Sequence, residues 1–162
     1  MPILTVTTTI AAPIERVFDL CRSVDAHLAS AAATGERAVG GTTTGLLGLH
    51  DQVTWRARHF GWRWQLTSRI TQLTRPHHFR DSMVQGPFAR FDHDHHFEHH
   101  GGATHVRDVF DFASPLGVLG RIADRLFVTA HMRRFLTTRM QTVKQLAEGP
   151  DWRRFLPDPP PR

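Results

Sequence analysis

Histidines and carboxylates can move protons and hold metal ions at neutral pH, and residues 77–112 carry both at the spacing of β-strands. In 88–100 the even positions Arg90, Asp92, Asp94, His96, Glu98 and His100 form a face that belongs in water, while Phe91, His93, His95 and Phe97 point the other way. In the next segment Val106, Asp108, Phe110 and Phe112 share a face, and in the preceding one Phe79, Asp81 and Met83 do. Turns centred near Gly86-Pro87 and Gly101-Gly102 then place Asp81 opposite His93 and Asp108 opposite His95. Two acids and one or two histidines are therefore predicted on the apolar side of three adjacent strands. A buried carboxylate needs a partner, and histidine supplies one.

Three chemistries fit such a set. It can be a hydrogen-bonded network that fixes register, a polar contact for a bound ligand, or an acid/base pair with His93 as proton carrier and Asp81 or Asp108 orienting it. A histidine between two carboxylates has its charged form favoured, which suits an anionic or enolic ligand better than a base. His93 and His95 with Asp108 would make a mixed nitrogen and oxygen metal site. Strand alternation sends His96 and His100 to the wet face with the acids, so no metal and no cofactor is expected. Cys21, the sole cysteine, excludes an internal disulfide and reads as packing.

Further lining is predicted from Trp55 and His59, which share a face with Ala57, from Phe91 and Phe110, and from Phe127 and Met140 of a later helix. The expected ligand-binding set is thus Trp55, His59, Asp81, Phe91, His93, His95, Asp108, Phe110, Phe127 and Met140. The facing of 62–73 is ambiguous, since Trp62, Trp64, Leu66 and Ile70 oppose Thr67, Arg69 and Thr71; a bulge there would let Arg69 reach Asp81.

The elements that must position these residues are legible from period and punctuation. Residues 3–11 alternate as a strand; Pro13 opens a helix through Cys21, and 23–33 suits a second short one with Ser23 or Asp25 as cap. Glycine and threonine from 35 to 48 predict a short strand and a loop. Strands follow at 53–60, 62–73, 77–85, 88–100 and 104–112, separated by short turns and therefore antiparallel. After Ser114-Pro115 comes one long helix containing Leu119, Ile122, Leu126, Ala130, Leu136, Met140 and Val143, with a bend expected near 128–134 where the stripe drifts. The basic residues from Arg133-Arg134 to Lys144 read as its solvated face, and 149–162 as an extended proline-rich tail.

The chain has 162 residues and 20 Lys+Arg against 15 Asp+Glu, all basic residues but Lys144 being arginine. The arginines are scattered among acids, so nucleic acid is not the expected partner. No apolar run is long enough for a membrane span, and the first ten residues lack the pattern of a signal peptide, which predicts a cytoplasmic location.

This order of elements, in this length, resembles the helix-grip fold of the START/Bet v 1 (SRPBCC) superfamily. Val53-Thr54-Trp55 through Gly61, Gly86-Pro87-Phe88, the 93–97 segment, Asp108 and Ser114-Pro115-Leu116-Gly117 are similar to a bacterial cyclase/dehydrase-like subgroup. The chain departs from that pattern at His50-Asp51-Gln52, where an acid would be expected at 52. The resemblance implies an α+β domain over 1–148, a curved antiparallel sheet wrapped around a long C-terminal helix, with 149–162 left as tail. It also implies a small, largely apolar ligand, lipid-, quinone- or polyketide-like, in a cavity between sheet and helix. A cyclase, dehydratase or hydrolase using His93 is the alternative, and an interaction module with a vestigial cavity a third; either monomer or dimer is compatible.

Overall fold

The computed structural model describes residues 2–32 and 35–156. Among the described residues seven strands form one sheet: β1 (Ile3–Ile10), β2 (Arg37–Gly41), β3 (Gln52–His59), β4 (Trp62–Thr74), β5 (His78–Gln85), β6 (Arg90–His100) and β7 (Ala103–Ala113). Their order is β1-β7-β6-β5-β4-β3-β2, antiparallel throughout, so every neighbour but β1 with β7 is consecutive in the chain. Two short helices, α1 (Ile14–Cys21) and α2 (Val24–Ser30), follow β1. Ser23 caps α2 by accepting the Ala26 N–H at 3.2 Å, while Asp25 holds the following loop through the Gly45 N–H and the Thr44 hydroxyl.

Parity and register hold as read: Asp81 stands opposite His93 and Asp108 opposite His95. Trp64, Leu66 and Ile70 of β4 face inward, and the register shifts around Thr71, so that Leu73 takes the inward side beyond it. Arg69 stays exposed, paired across the strands with Gln52 and Ser82, and the bulge does not carry it to Asp81.

The C-terminal helical run covers Val118 to Glu148 as α3 (Val118–Ala123), a π-turn (Asp124–Val128) and α4 (Thr129–Glu148). The irregularity comes before the expected bend, and the wider turn rotates Phe127 outward and Val128 inward. The run is pinned to the end of β7 by Asp124, which accepts the Ser114 hydroxyl at 2.5 Å and its N–H at 3.1 Å. Gly120 permits this approach, because a Cβ there would lie 2.1 Å from the Pro115 carbonyl oxygen.

Two apolar clusters fill the space between sheet and helices. One joins α1, α2, the sheet and the end of α4 through Phe18, Phe79, Phe97, Met140 and Val143; the other joins Leu4, Phe110, Phe112 and Leu136. The cations of α4 are not one solvated face: Arg133 and Lys144 donate to the Thr5 and Thr9 carbonyls of β1 at 3.4 and 2.6 Å, and Arg139 turns inward. The tail also differs from expectation up to residue 156. A 3-10 turn (Asp151–Arg154) brings Trp152, Phe155 and Leu156 against the core, with Arg16 stacked 4.3 Å above Trp152. Burial of those rings outweighs the extended preference of the prolines; 157–162, assigned to the same tail, lie outside the described residues. No helix among the described residues is long and apolar enough to cross a membrane.

Candidate functional site

A cavity of about 310 Å³ lies between the sheet and the first half of α4. Its floor is Phe91, His93 and Phe110 with Asp81 beside them; α4 contributes His131, Met132, Phe135, Leu136 and Arg139. Trp55, Ala57 and His59 close one side from β3. Most of the wall is apolar, and its polar groups are gathered into a few clusters.

The central cluster spans β5, β6 and β7. His95 bridges both acids, with Nδ1 2.7 Å from Asp108 Oδ1 and Nε2 3.2 Å from Asp81 Oδ1. Burial works against a charge on this ring, yet the Asp108 carboxylate and the hydrogen bonds to both acids outweigh it, so the His95 pKa is raised. The acids answer in kind: desolvation opposes their ionisation, but His95 holds both Asp81 and Asp108 below the usual carboxylate range. The central unit is an imidazolium between two carboxylates.

His93 is different. Only 3% exposed, it lies 3.8 Å from Asp81 and 3.9 Å from Asp108, beyond hydrogen-bond reach, and its Nε2 is buried without a partner. Burial and the adjacent His95 charge depress its pKa to about 3, so it is neutral at pH 7. The charged ring is therefore His95, set back beneath the cavity, and the ring at the cavity wall is the neutral His93.

A second cluster arises from residues the sequence reading passed over. His27 of α2 stacks on Trp55 at 4.1 Å and places Nε2 3.0 Å from Glu36. Burial and the Arg139 charge lower the His27 pKa; Glu36, despite its burial, is held ionised by His27 and Arg139. Arg139 gives one N–H to the Cys21 carbonyl at 3.1 Å, while its Nε is buried with no partner. At the mouth, His59 Nδ1 and His131 Nε2 are 3.0 Å apart, and Phe60 packs on His131 at 4.4 Å. Desolvation and the mutual repulsion of the pair lower the His59 pKa, so the link is between neutral rings.

Of the residues expected to line a site, Trp55, His59, Asp81, Phe91, His93 and Phe110 border the cavity. His95 and Asp108 support it from beneath, through Asp81. Met140 lies beyond it in the core with Val143 and Ala147, and Phe127 is 62% exposed on the outside, carried there by the π-turn. Arg139 had a signal in the sequence: it is i+3 from Leu136 and i−4 from Val143, on the buried stripe of the helix.

Among the described residues two trios bring ligand-type atoms within 4.8 Å of one another, Asp81–His93–His95 inside and His78–Asp94–His96 on the outer face. In the first His95 is committed to both acids, and in the second Arg80 holds both oxygens of Asp94 at 2.7 and 2.8 Å. In both sets several donor atoms therefore already have protein partners.

A family model described as polyketide cyclase/dehydrase and lipid transport matches residues 1–148. Among curated proteins none matches the chain. Similar solved structures include TTHA0849 from Thermus thermophilus, 17% identical, covering 89% of this chain and 95% of that one with a TM-score of 0.73. The Zhui aromatase/cyclase from Streptomyces sp. R1128 is also 17% identical, with 91% and 93% covered and a TM-score of 0.73. Ginseng major latex-like protein 151 from Panax ginseng is 14% identical, with 91% and 98% covered and a TM-score of 0.66. At such identities the likeness is one of fold.

Proposed function

The chain belongs to the polyketide cyclase/dehydrase and lipid transport family, and from that premise we propose that it is a binding protein for a small, largely apolar, uncharged ligand that presents a carbonyl or hydroxyl oxygen to His93 and Arg139. The observation that carries this reading is the pair of buried, unpartnered nitrogens, His93 Nε2 and Arg139 Nε, on two residues that border one largely apolar cavity. A buried polar nitrogen without a partner is costly; the Arg139 Nε–H can only donate, the neutral His93 ring donates or accepts according to its tautomer, and a ligand carbonyl or hydroxyl oxygen supplies the missing partner to either. A cavity of about 310 Å³ suits a ring system or a short chain.

Charge bookkeeping supports an uncharged ligand. Asp81, Asp108 and Glu36 are held ionised against the cations His95 and Arg139, while His27 and His93 are held neutral. A ligand carboxylate would add to an uncompensated negative charge, whereas a quinone-, lactone- or phenol-like oxygen does not. The depressed pKa of His93 also weighs against its use as a general base at neutral pH.

Thermal-shift screening and native mass spectrometry with quinones, aromatic ketones and their carboxylated analogues test the reading. The neutral compounds should bind, and Arg139→Met and His93→Phe should each weaken them about tenfold while leaving a hydrocarbon of the same shape unaffected. Silence from every neutral compound, or preference for the acids, overturns it. Turnover of a bound ketone that His93→Ala abolishes in a folded protein would make the molecule an enzyme instead.

A further inference from the structure

The outside of the cavity mouth has a chemistry of its own. From Leu116 to Phe127 six large apolar side chains stand in solvent: Leu116 (79% exposed), Val118, Leu119 (67%), Ile122, Leu126 and Phe127 (62%). Through this stretch only Gly120 and Asp124 are buried, so the helix touches the body along a narrow line and leaves the rest of its circumference bare. Across the mouth, the two-residue turn Phe60-Gly61, both with positive φ, raises Phe60 and Trp62, which is 74% exposed. The two lips meet where Phe60 packs on His131, three residues beyond Val128, and Phe60, Pro115 and Val128 all border the cavity. The opening is rimmed by apolar groups that cover nothing, a rare arrangement on a monomer.

The charge around this rim has one sign. Arg121 and Arg125 flank the helical lip and Arg58 and Arg63 the hairpin lip, all exposed. Among the described residues none of these four has a carboxylate within salt-bridge distance. Residues 112–147 contain six Lys+Arg and one acid, Asp124, which is buried; 52–80 contain no acid. A second copy of this face would set these arginines against one another, which opposes self-association through it.

We propose that this rim is a docking surface for an anionic lipid bilayer. The leucines, Phe127 and Trp62 enter the headgroup boundary while the arginines meet lipid phosphates, and the cavity mouth lies against the membrane. Apolar insertion and electrostatic attraction are individually weak and act together. Ligand exchange between bilayer and cavity through the mouth rests on the binding reading above; docking does not.

The test is flotation of the full chain with vesicles of phosphatidylglycerol and phosphatidylcholine, beside vesicles of phosphatidylcholine alone. The chain should float with the anionic vesicles, detach as salt is raised, and show a blue shift in tryptophan emission that Trp62→Phe diminishes. Leu119→Asp with Phe127→Asp should reduce binding at least about tenfold, as should Arg121→Glu with Arg125→Glu. Both sites are exposed, and an unchanged melting temperature establishes that the variants fold. His93→Phe should dock like the parent, so a failed ligand screen and a failed docking are separable. Equal binding to neutral vesicles, no binding to either, or binding unaffected by these substitutions overturns the proposal. So does a dimer in sedimentation that Leu119→Asp dissolves, which would give the face to a second copy.

Discussion

Strands β5 and β6 carry much the same residues on both faces and use them in opposite ways. Inside, His95 lies between Asp81 and Asp108, buried, with His93 beside it. Outside, Asp94 lies between Arg80 and His78, with His96 stacked on His78 at 4.7 Å. In the outer cluster the Asp94 charge is paired on both oxygens and the group is wetted by solvent. In the inner one the charges are tightly paired and a neighbouring ring is left neutral and unsatisfied. Residue types alone do not separate a satisfied cluster from one with an unmet partner; burial does, because it makes each missing partner costly.

The strongest way to break this contrast is His95→Leu, which leaves the buried Asp108 and the half-buried Asp81 carboxylates without the cation between them. It should cost about 3–5 kcal/mol in urea unfolding; a loss under about 1 kcal/mol would put the inner face on a par with the outer. An intermediate effect concerns pH. His93 has a folded pKa near 3 against 6.5 in the unfolded chain, so unfolding takes up a proton between those values and stability falls as pH drops below about 6.5. His95 is raised, so its contribution is complete below about 6.5 and is lost as pH climbs through the folded value. Asp81 and Asp108 are lowered and stabilise until pH falls through their folded values. His93→Phe should therefore flatten the acid limb by up to about 1.4 kcal/mol per pH unit. A residual slope from His27, His59 and His131, which are also depressed, should remain. An unchanged limb would mean that His93 is protonated in the fold. The smallest effect belongs outside: Asp94→Asn should cost no more than about 1 kcal/mol, less at high salt, since Arg80 is one-third exposed.

The inner face was legible in the sequence to the level of register. Period two and the two turns sufficed to put Asp81 against His93 and Asp108 against His95. They did not say which ring takes the proton, because that depends on a diagonal reach: His95 leans past its own partner toward Asp81, the partner of its neighbour. The π-turn is invisible in composition, and with it the exchange of Phe127 for Val128. Arg139 was hidden by company, one cation among several on a helix that reads as amphipathic. His27 and Glu36 lie outside the strand pattern, and only the packing of α2 against Trp55 joins them to the site.

An open sheet has two margins where a foreign strand can attach, and here both are closed by different means. On β1, the α4 cations Arg133 and Lys144 occupy the Thr5 and Thr9 carbonyls. At the other margin β2 is five residues long, glycine-rich, and interrupted by a bulge at Ala38/Gly40. The molecule can thus present bare hydrophobic side chains at its mouth without offering the backbone ladder that would turn such exposure into fibrous aggregation.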